Sequence, residues 1–149
     1  MLVINDRLFT GRIGDSSVFA IVDENKSDEV KNLFEADEAE SETIGLETAS
    51  LCSREAFRKW QIQTLALNEI KMILLATDGF TDSLKDPLDE VKKFYLEITK
   101  KGAVGFENDL DNYLKQISQN GAGDDISLVF FLNDKKTFYQ SDGVEYSRG

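Results

Sequence analysis

The run from Met72 to Ala76 constrains the fold of this chain more than any other stretch of its sequence. All five residues are apolar, which is typical of a strand buried on both faces. Asp78 and Gly79 follow closely, and because glycine permits a sharp turn, a strand ending here would aim the Asp78 carboxylate beyond the sheet. However, Asp-Gly is a common turn, and Asp82 could simply cap a helix. The sequence therefore predicts a central strand and leaves a structural and a functional interpretation of its aspartates open.

Length and composition indicate one domain with its own core. The chain has 149 residues, of which 41% are hydrophobic, enough for one ordinary domain but not for two. No apolar run approaches the roughly 20 residues that span a bilayer, and the N-terminus lacks the basic region of a signal peptide. The single cysteine, Cys52, excludes an intrachain disulfide. We therefore expect a cytoplasmic protein that does not associate with membranes.

The absence of histidine narrows the chemistry that this chain can perform. It excludes Ser–His and Cys–His catalytic pairs and His-ligated zinc, so catalysis would require carboxylates, hydroxyls, lysine or a metal. The formal net charge of -11 argues against binding nucleic acid. Residues 23–47 contain ten acidic residues and only two lysines; such a segment could concentrate divalent cations, although charged loops are more often merely solvated.

Short strands are predicted in the first half of the chain. Leu2–Ile4 and Arg7–Ile13 read as a hairpin turned by Asn5-Asp6. Ser17–Val22 is a third strand, and such close spacing predicts an antiparallel meander of all three. Residues 23–43 read as an acidic surface insertion, with a helical turn around Glu29–Phe34. Gln61–Ala66 reads as the strand that leads into the central one.

Helical periodicity follows Asp82. Asp86-Pro87 predicts a helix start, with an N-cap and a proline at the first helical position. Lys100-Lys101-Gly102 predicts a stop, and a second helix is expected to end at Asn120-Gly121. Apolar residues predicted to form the buried faces of the two helices are Leu88, Val91, Tyr95, Ile98, Phe106, Leu110, Leu114 and Ile117. Ile126–Leu132 reads as a final apolar strand, and the polar tail from residue 133 as a frayed segment.

Three aspartate motifs flank predicted strands. They are Gly14-Asp15-Ser16, Asp78-Gly79 with Asp82, and Gly123-Asp124-Asp125. Strand ends of one sandwich can meet at one rim, where carboxylate oxygens suit Mg²⁺ or Mn²⁺. Such a metal can acidify a bound water and polarise a phosphoryl oxygen. This combination is a route to phosphate-ester hydrolysis without histidine.

The order of GDS, ILLATDGFTD and GAGDDISLV resembles the C-terminal part of PP2C-type (PPM family) metal-dependent Ser/Thr protein phosphatases, with the bacterial PP2C-like variant the most similar. Three motifs in order over residues 7–132 carry the resemblance. It implies an α+β fold, an antiparallel β-sandwich flanked by helices, over residues 1–132, with residues 133–149 as a polar tail. It also implies Mg²⁺ or Mn²⁺, two or more ions in a complete domain, and a phosphoprotein substrate.

The resemblance also implies roles for particular residues. Asp78 matches the aspartate shared by a metal pair, and Asp124 matches a second metal aspartate. Asp15 and Asp82 match residues that flank an additional, weaker metal. Gly79, Gly14 and Asp125 belong to the supporting turns. Asp125 stands where many members have asparagine, which leaves Asp124 as the expected ligand.

The family's N-terminal motifs have no counterpart in residues 1–13. These motifs are an early acidic ligand, an arginine that grips the substrate phosphate, and a DGxGG-like stretch. The fold is therefore expected to be incomplete at its N-terminus, as a fragment, a truncated product or half of a split protein. Apolar surface is then expected around Met72–Ala76 and Ile126–Leu132, covered by a second copy or by a complementing N-terminal fragment. A non-catalytic PP2C-like binding or regulatory module is the alternative function, and a plain α+β domain without a site is the simplest interpretation.

Two other patterns compete weakly. Cys52 and Arg58 have the Cys-x5-Arg spacing of thiolate phosphatases, but the intervening loop lacks glycine and contains Glu55. Cys52 is therefore expected to be a small buried residue. The acidic stretch beginning at Asp23 lacks the spacing and the central glycine of a calcium loop. Trp60 and the phenylalanines are expected to lie in the core.

Overall fold

The computed structural model describes residues 1–24, 27–34, 52 and 56–133 of the chain. The strands are β1 (Leu2–Ile4), β2 (Arg7–Arg12), β3 (Ser17–Glu24), β4 (Ser27–Asn32), β5 (Gln61–Ala66), β6 (Ile70–Ala76) and β7 (Leu128–Leu132); the helices are α1 (Asp78–Asp82) and α2 (Pro87–Asn120). Antiparallel strands and helices together confirm the predicted α+β class.

Two antiparallel sheets form the centre of the fold. One has three strands in the order β1-β2-β5, and the other has four in the order β4-β3-β6-β7. Leu8 of the three-stranded sheet packs with Val18, Ala20 and Ile73 of the four-stranded sheet in one buried cluster. The sheets therefore lie face to face as a sandwich, as predicted.

β6 is the buried centre of this arrangement. Met72, Ile73 and Leu74 are all fully buried. Met72 and Leu74 pack with α2 residues such as Phe94, whereas Ile73 faces Leu8 in the other sheet. The prediction of a strand buried on both faces is confirmed. The expectation of an unpaired edge and uncovered apolar surface is wrong for β6, which pairs with β3 and β7 and is covered on both faces. It holds in part for β7, which lies at the edge of its sheet among the described strands and exposes 57% of Val129.

Local sequence signals correctly predict the first hairpin turn and the N-cap of α2. Ile4 pairs with Arg7 across a two-residue turn in which Asn5 has φ 51°, a conformation that asparagine tolerates better than most residues. The Asp86 carboxylate accepts a hydrogen bond from the Asp89 amide at 3.0 Å and caps α2. These contacts are local, so the residues that make them are enough to predict them.

α2 is a helical hairpin. Its backbone is interrupted at Gly102, with φ 72° and ψ 165°, values essentially restricted to glycine. The rings of Phe94 and Tyr113 lie 5.7 Å apart, whereas a straight helix would separate these residues by about 28 Å. The Tyr113 hydroxyl donates a hydrogen bond to Glu90 across the hairpin. Burial, together with the hydrogen bond to Glu90, raises the pKa of Tyr113 to about 12.

Two predictions for the first half of the chain are wrong. β3 does not extend a meander with β1 and β2; it crosses to the other sheet and pairs with β4 and β6. The predicted helical turn around Glu29–Phe34 is instead largely β4. Asp28 of β4 forms an ion pair with buried Lys71 of β6. A charged strand at a sheet edge satisfies backbone hydrogen bonds of β3 and discourages further pairing.

Other corrections concern exposure and helix ends. Asp82 ends α1 instead of starting a helix, and Leu88 is exposed, unlike the other apolar residues predicted for its helix face. Cys52 is exposed, and Trp60 is 44% exposed, so neither is a core residue.

Residues 35–43 of the predicted insertion and 134–149 of the predicted tail lie outside the described residues. Within the described part of the chain, neither helix combines the length and apolar character needed to cross a membrane.

Candidate functional site

The strand register brings the three aspartate motifs to one edge of the four-stranded sheet. Ser17 at the start of β3 and Leu128 at the start of β7 both pair with Ala76 at the end of β6. The residues that precede β3, follow β6 and precede β7 therefore emerge at the same end. We call this edge the aspartate rim; its acidic residues are Asp15, Asp78, Asp82, Asp124 and Asp125, all exposed.

Gly79 brings two of these motifs into contact. A Cβ atom at Gly79 would lie 2.6 Å from the carbonyl oxygen of Asp125 and 3.2 Å from the Cβ of Asp124. Only glycine leaves room for this approach between α1 and the segment before β7. The amide of Gly79 also donates a hydrogen bond of 2.8 Å to Oδ1 of Asp78. The backbone of the Asp78 motif thus lies directly against the Asp124 motif.

Asp82 and Asp15 belong to two other segments of the rim. Asp82 ends α1, one helical turn beyond Asp78 and on the same side of the helix. Asp15 lies in the connection between β2 and β3. In that connection Arg12 donates a hydrogen bond of 3.3 Å to the carbonyl of Ser16. Asp82 and Asp15 both lie at the rim because the start of β3 and the end of β6 lie at the same end of the sheet.

Arg12 is a cation near the rim that the sequence analysis did not single out. Its guanidinium donates to Oε1 of Gln61 at 2.7 Å and lies over the ring of Phe34, 5.4 Å from the ring centroid. Gln61 pairs with Arg12 across the β2–β5 register. No local sequence signal predicts this placement, because the partners are far apart along the chain.

The opposite end of β6 carries a buried lysine, Lys71, that is paired with Asp28. The register of β3 and β6 shifts so that Ile21 pairs with Met72 and Val22 with Ile70, which leaves Lys71 in a bulge. Burial works to lower the pKa of Lys71, but its hydrogen bond to Asp28 and the charge of that carboxylate outweigh it and raise the pKa. Lys71 is therefore a charged structural anchor, away from the aspartate rim.

The donor chemistry of Asp78 and Asp124 fits a hard divalent ion, because carboxylate oxygens are the ligands that Mg²⁺ and Mn²⁺ prefer. The cradle at Gly79, which a Cβ would fill, holds the two motifs against each other. Across residues 1–24, 27–34, 52 and 56–133, no three side chains of His, Cys, Asp or Glu converge closely enough to hold an ion. The assignment of Asp15, Asp78, Asp82 and Asp124 as metal ligands therefore stays a prediction.

A cavity of about 390 Å³ lies elsewhere, between the two arms of α2. Its floor is apolar and includes Phe94, Phe106 and Leu110, while its mouth carries lysines and acids that include Lys101 and Asp109. Lys101 and Asp109 form an ion pair of 3.1 Å across the arms. No aspartate of the rim lines this cavity, so the rim is an open edge distinct from it.

Comparison with known proteins identifies the architecture. The family model described as protein phosphatase 2C matches residues 1–119, a range that includes Asp15, Asp78 and Asp82 and ends before Asp124. A solved structure of a C. elegans sex determining protein is similar over 84% of this chain, with a TM-score of 0.57 and 16% identity. At that identity the likeness shows the fold alone. This chain spans 36% of that structure's chain. No curated protein matches the chain in sequence.

Proposed function

Because this chain belongs to the protein phosphatase 2C family, we propose that it serves metal-dependent hydrolysis of phosphoserine and phosphothreonine in proteins, either as the phosphatase or as the C-terminal part of one. The family is generally metal-dependent. The observation that carries the proposal is the close approach of Gly79 to the carbonyl of Asp125 and the Cβ of Asp124. It places the Asp78 and Asp124 motifs in contact at one rim, in the order that the resemblance implies for the family's metal motifs.

In this proposal Asp78 and Asp124 hold Mg²⁺ or Mn²⁺, and Asp15 and Asp82 flank a further ion. The chemistry that such ions supply when bound is acidification of a water and polarisation of a phosphoryl oxygen. The chain's own contribution is to orient the ligands. The Gly79 amide fixes one carboxylate oxygen of Asp78. The negative charge of the rim by itself repels a phosphate ester. A phosphate ester is therefore expected to bind there only when bound cations offset the charge of the aspartates.

We expect Mn²⁺ to stabilise the protein. An ion that binds only the folded state at ten times its Kd contributes about 1.4 kcal/mol, which corresponds to a rise in Tm of about 3 to 6 °C for a domain of this size. Asp78→Asn and Asp124→Asn should each remove most of the rise, because each deletes a charged ligand. Thermal unfolding at 0 to 10 mM Mn²⁺ or Mg²⁺ measures the effect.

Asp111→Asn is the matched control for this titration. Asp111 is an exposed aspartate on α2 paired with Lys115, and its loss should leave the Mn²⁺ response unchanged. A wild-type Tm that does not respond to millimolar Mn²⁺ would contradict the metal site. An equal response of the Asp78→Asn and Asp111→Asn variants would contradict its location.

A second candidate function, a non-catalytic binding module, is favoured by an apolar surface on the three-stranded sheet. Leu8 and Thr10 of β2 are buried against the other sheet, so Phe9 and Gly11 point the opposite way. That outer face also carries Arg7 and Thr64. Its large apolar residues are Leu2, Ile4, Phe9, Trp60 and Ile62. All but Phe9 are exposed by at least 44%. Apolar surface of this kind marks an interaction site.

We propose that a second copy of this chain covers this outer face. Stacked through this face, two copies would each remove the other's exposed apolar residues from water. Sedimentation of the purified chain should then give a dimer. Ile62→Lys should restore the monomer, whereas Val104→Lys, at a 74% exposed apolar residue on α2, should not. A wild-type monomer at tens of micromolar protein would contradict the dimer.

A turnover assay separates a complete phosphatase from a binding module and from a C-terminal part that is inactive without its N-terminal part. As a binding module, the chain would hydrolyse a phosphoserine peptide with Mn²⁺ at no more than background, since its N-terminal residues carry none of the family's phosphate-gripping motifs. As a complete enzyme, it would turn over at ordinary rates of about 1 to 1,000 per second. We expect background rates from the chain alone.

We also propose a cytoplasmic location, because its one cysteine suits a reducing compartment.

A further inference from the structure

The loop before β7, residues 121–127, is almost entirely exposed, yet its backbone is held in place by three side-chain hydroxyls. They come from three different parts of the fold: Thr77 follows β6, Ser83 follows α1, and Ser118 lies in the last turn of α2. We call these three residues the hydroxyl clamp. This loop carries Asp124 and Asp125, so the clamp acts on the same segment that Gly79 contacts.

Thr77 and Ser118 bind the backbone of the two aspartates themselves. Ser118 Oγ donates to the carbonyl oxygen of Asp124 at 2.8 Å. Thr77 Oγ1 donates to the carbonyl oxygen of Asp125 at 3.2 Å and accepts from the amide of Ser127 at 3.0 Å. The hydroxyl of Thr77 therefore uses both its donor and its acceptor capacity on this loop.

Ser83 fixes the start of the loop. Its Oγ accepts a hydrogen bond from the amide of Ala122 at 3.2 Å. Gly121 lies so close that an added Cβ would be 2.4 Å from the Cβ of Ser83. The loop is therefore anchored at its start by Ser83, at Asp124 by Ser118, and at its end by Thr77.

We propose that Thr77 and Ser118 are positioning residues that set the Asp124 carboxylate against Asp78 for binding a divalent ion. The inference rests on the proposed metal site. A seven-residue exposed loop with two glycines is conformationally free unless it is tied down. Ser118 binds the carbonyl of Asp124 itself, and Thr77 binds the carbonyl of the next residue, Asp125, so the loop does not have to be ordered when the ion binds. Outer-shell residues that hydrogen-bond to ligating side chains commonly account for 10- to 100-fold in metal affinity, and we expect an effect at the lower end of this range from hydroxyls that hold the ligand's backbone.

The test compares Thr77→Val with Thr77→Ser. Valine keeps the shape of threonine and removes both hydrogen bonds, whereas serine keeps the hydroxyl. Mn²⁺ affinity, measured from the EPR signal of the free ion, should fall about tenfold for Thr77→Val and for Ser118→Ala, and stay near the wild-type value for Thr77→Ser. Thr99→Val is the matched control: Thr99 donates to the carbonyl of Leu96 at 2.8 Å within α2, away from the rim.

A second measurement, amide hydrogen exchange of Ser127 without metal, reports the clamp directly. Exchange should be faster in Thr77→Val than in the wild type and should recover in Thr77→Ser. Unchanged exchange, or faster exchange with unchanged Mn²⁺ affinity, would overturn the positioning role and leave the metal site standing. A wild-type protein that binds no Mn²⁺ would overturn the proposed metal site itself, and the positioning role with it.

Discussion

Gly79→Ala is expected to lower Tm and to weaken Mn²⁺ binding at least tenfold. The added Cβ would lie 2.6 Å from the carbonyl oxygen of Asp125, so α1 and the loop before β7 must separate. Overpacking of this kind costs about 1 to 3 kcal/mol, or about 2 to 12 °C in Tm for a domain of this size. Alanine is by itself the better helix former by about 1 kcal/mol, so a loss of stability isolates the effect of the contact.

Gly105→Ala is the matched control, because it adds the same methyl group within α2. The nearest neighbour of that methyl group is the Cβ of Lys101 at 3.0 Å, and the higher helix propensity of alanine offsets the crowding. We expect a Tm close to that of the wild type and an unchanged Mn²⁺ titration. A Gly79→Ala variant with wild-type Tm and Mn²⁺ affinity would show that the close approach does not set the geometry of the rim.

Phe94→Ala is expected to give the largest loss of stability of the substitutions described here. Its ring is nearly buried and lies within about 6 Å of the rings of Phe80, Phe106, Tyr113 and Phe130. It therefore joins α1, both arms of α2 and β7. Removing a buried phenylalanine ring costs about 3 to 5 kcal/mol, a large part of the 5 to 15 kcal/mol that stabilises a typical domain.

We expect a fall in Tm of about 6 to 20 °C for Phe94→Ala, measured by circular dichroism. Phe57→Ala is the control, because Phe57 is 71% exposed and its loss should change stability by less than about 0.5 kcal/mol. A fall of similar size in both variants would mean that the aromatic cluster around Phe94 does not form the core. The fall should not depend on added metal, which separates this effect from that of Gly79→Ala.

The sequence predicted the features whose causes are local. The Asn5-Asp6 turn, the Asp86 cap and the break at Gly102 each depend on residues next to one another in the chain. The burial of β6 on both faces was also predictable, because its apolar run has no polar side to expose. The order of the aspartate motifs was enough to indicate the family, since a linear pattern carries that information.

Exposure and strand pairing were decided by the tertiary structure. β3 leaves β2 for the other sheet because its apolar side chains find both faces covered there. An alternating or apolar pattern shows that a strand exists but not which strand it pairs with. β4 carries charged side chains but is a strand, because its backbone pairs with the N–H and C=O groups on the open side of β3. Trp60 is partly exposed because it packs over Gly11 on the outer face of the sheet.

The sequence by itself determined that this chain carries three aspartate motifs at strand ends, within an α+β sandwich. Only the tertiary structure decided that these ends share one rim, since Ser17 and Leu128 both pair with Ala76. The same holds for the hydroxyls of Thr77 and Ser83, which look ordinary in the sequence and reach the loop before β7 across 48 and 39 residues of chain. Hydrogen bonds between distant segments depend on distances that only the packed fold sets, whereas turns, caps and strand patterns depend on neighbours along the chain.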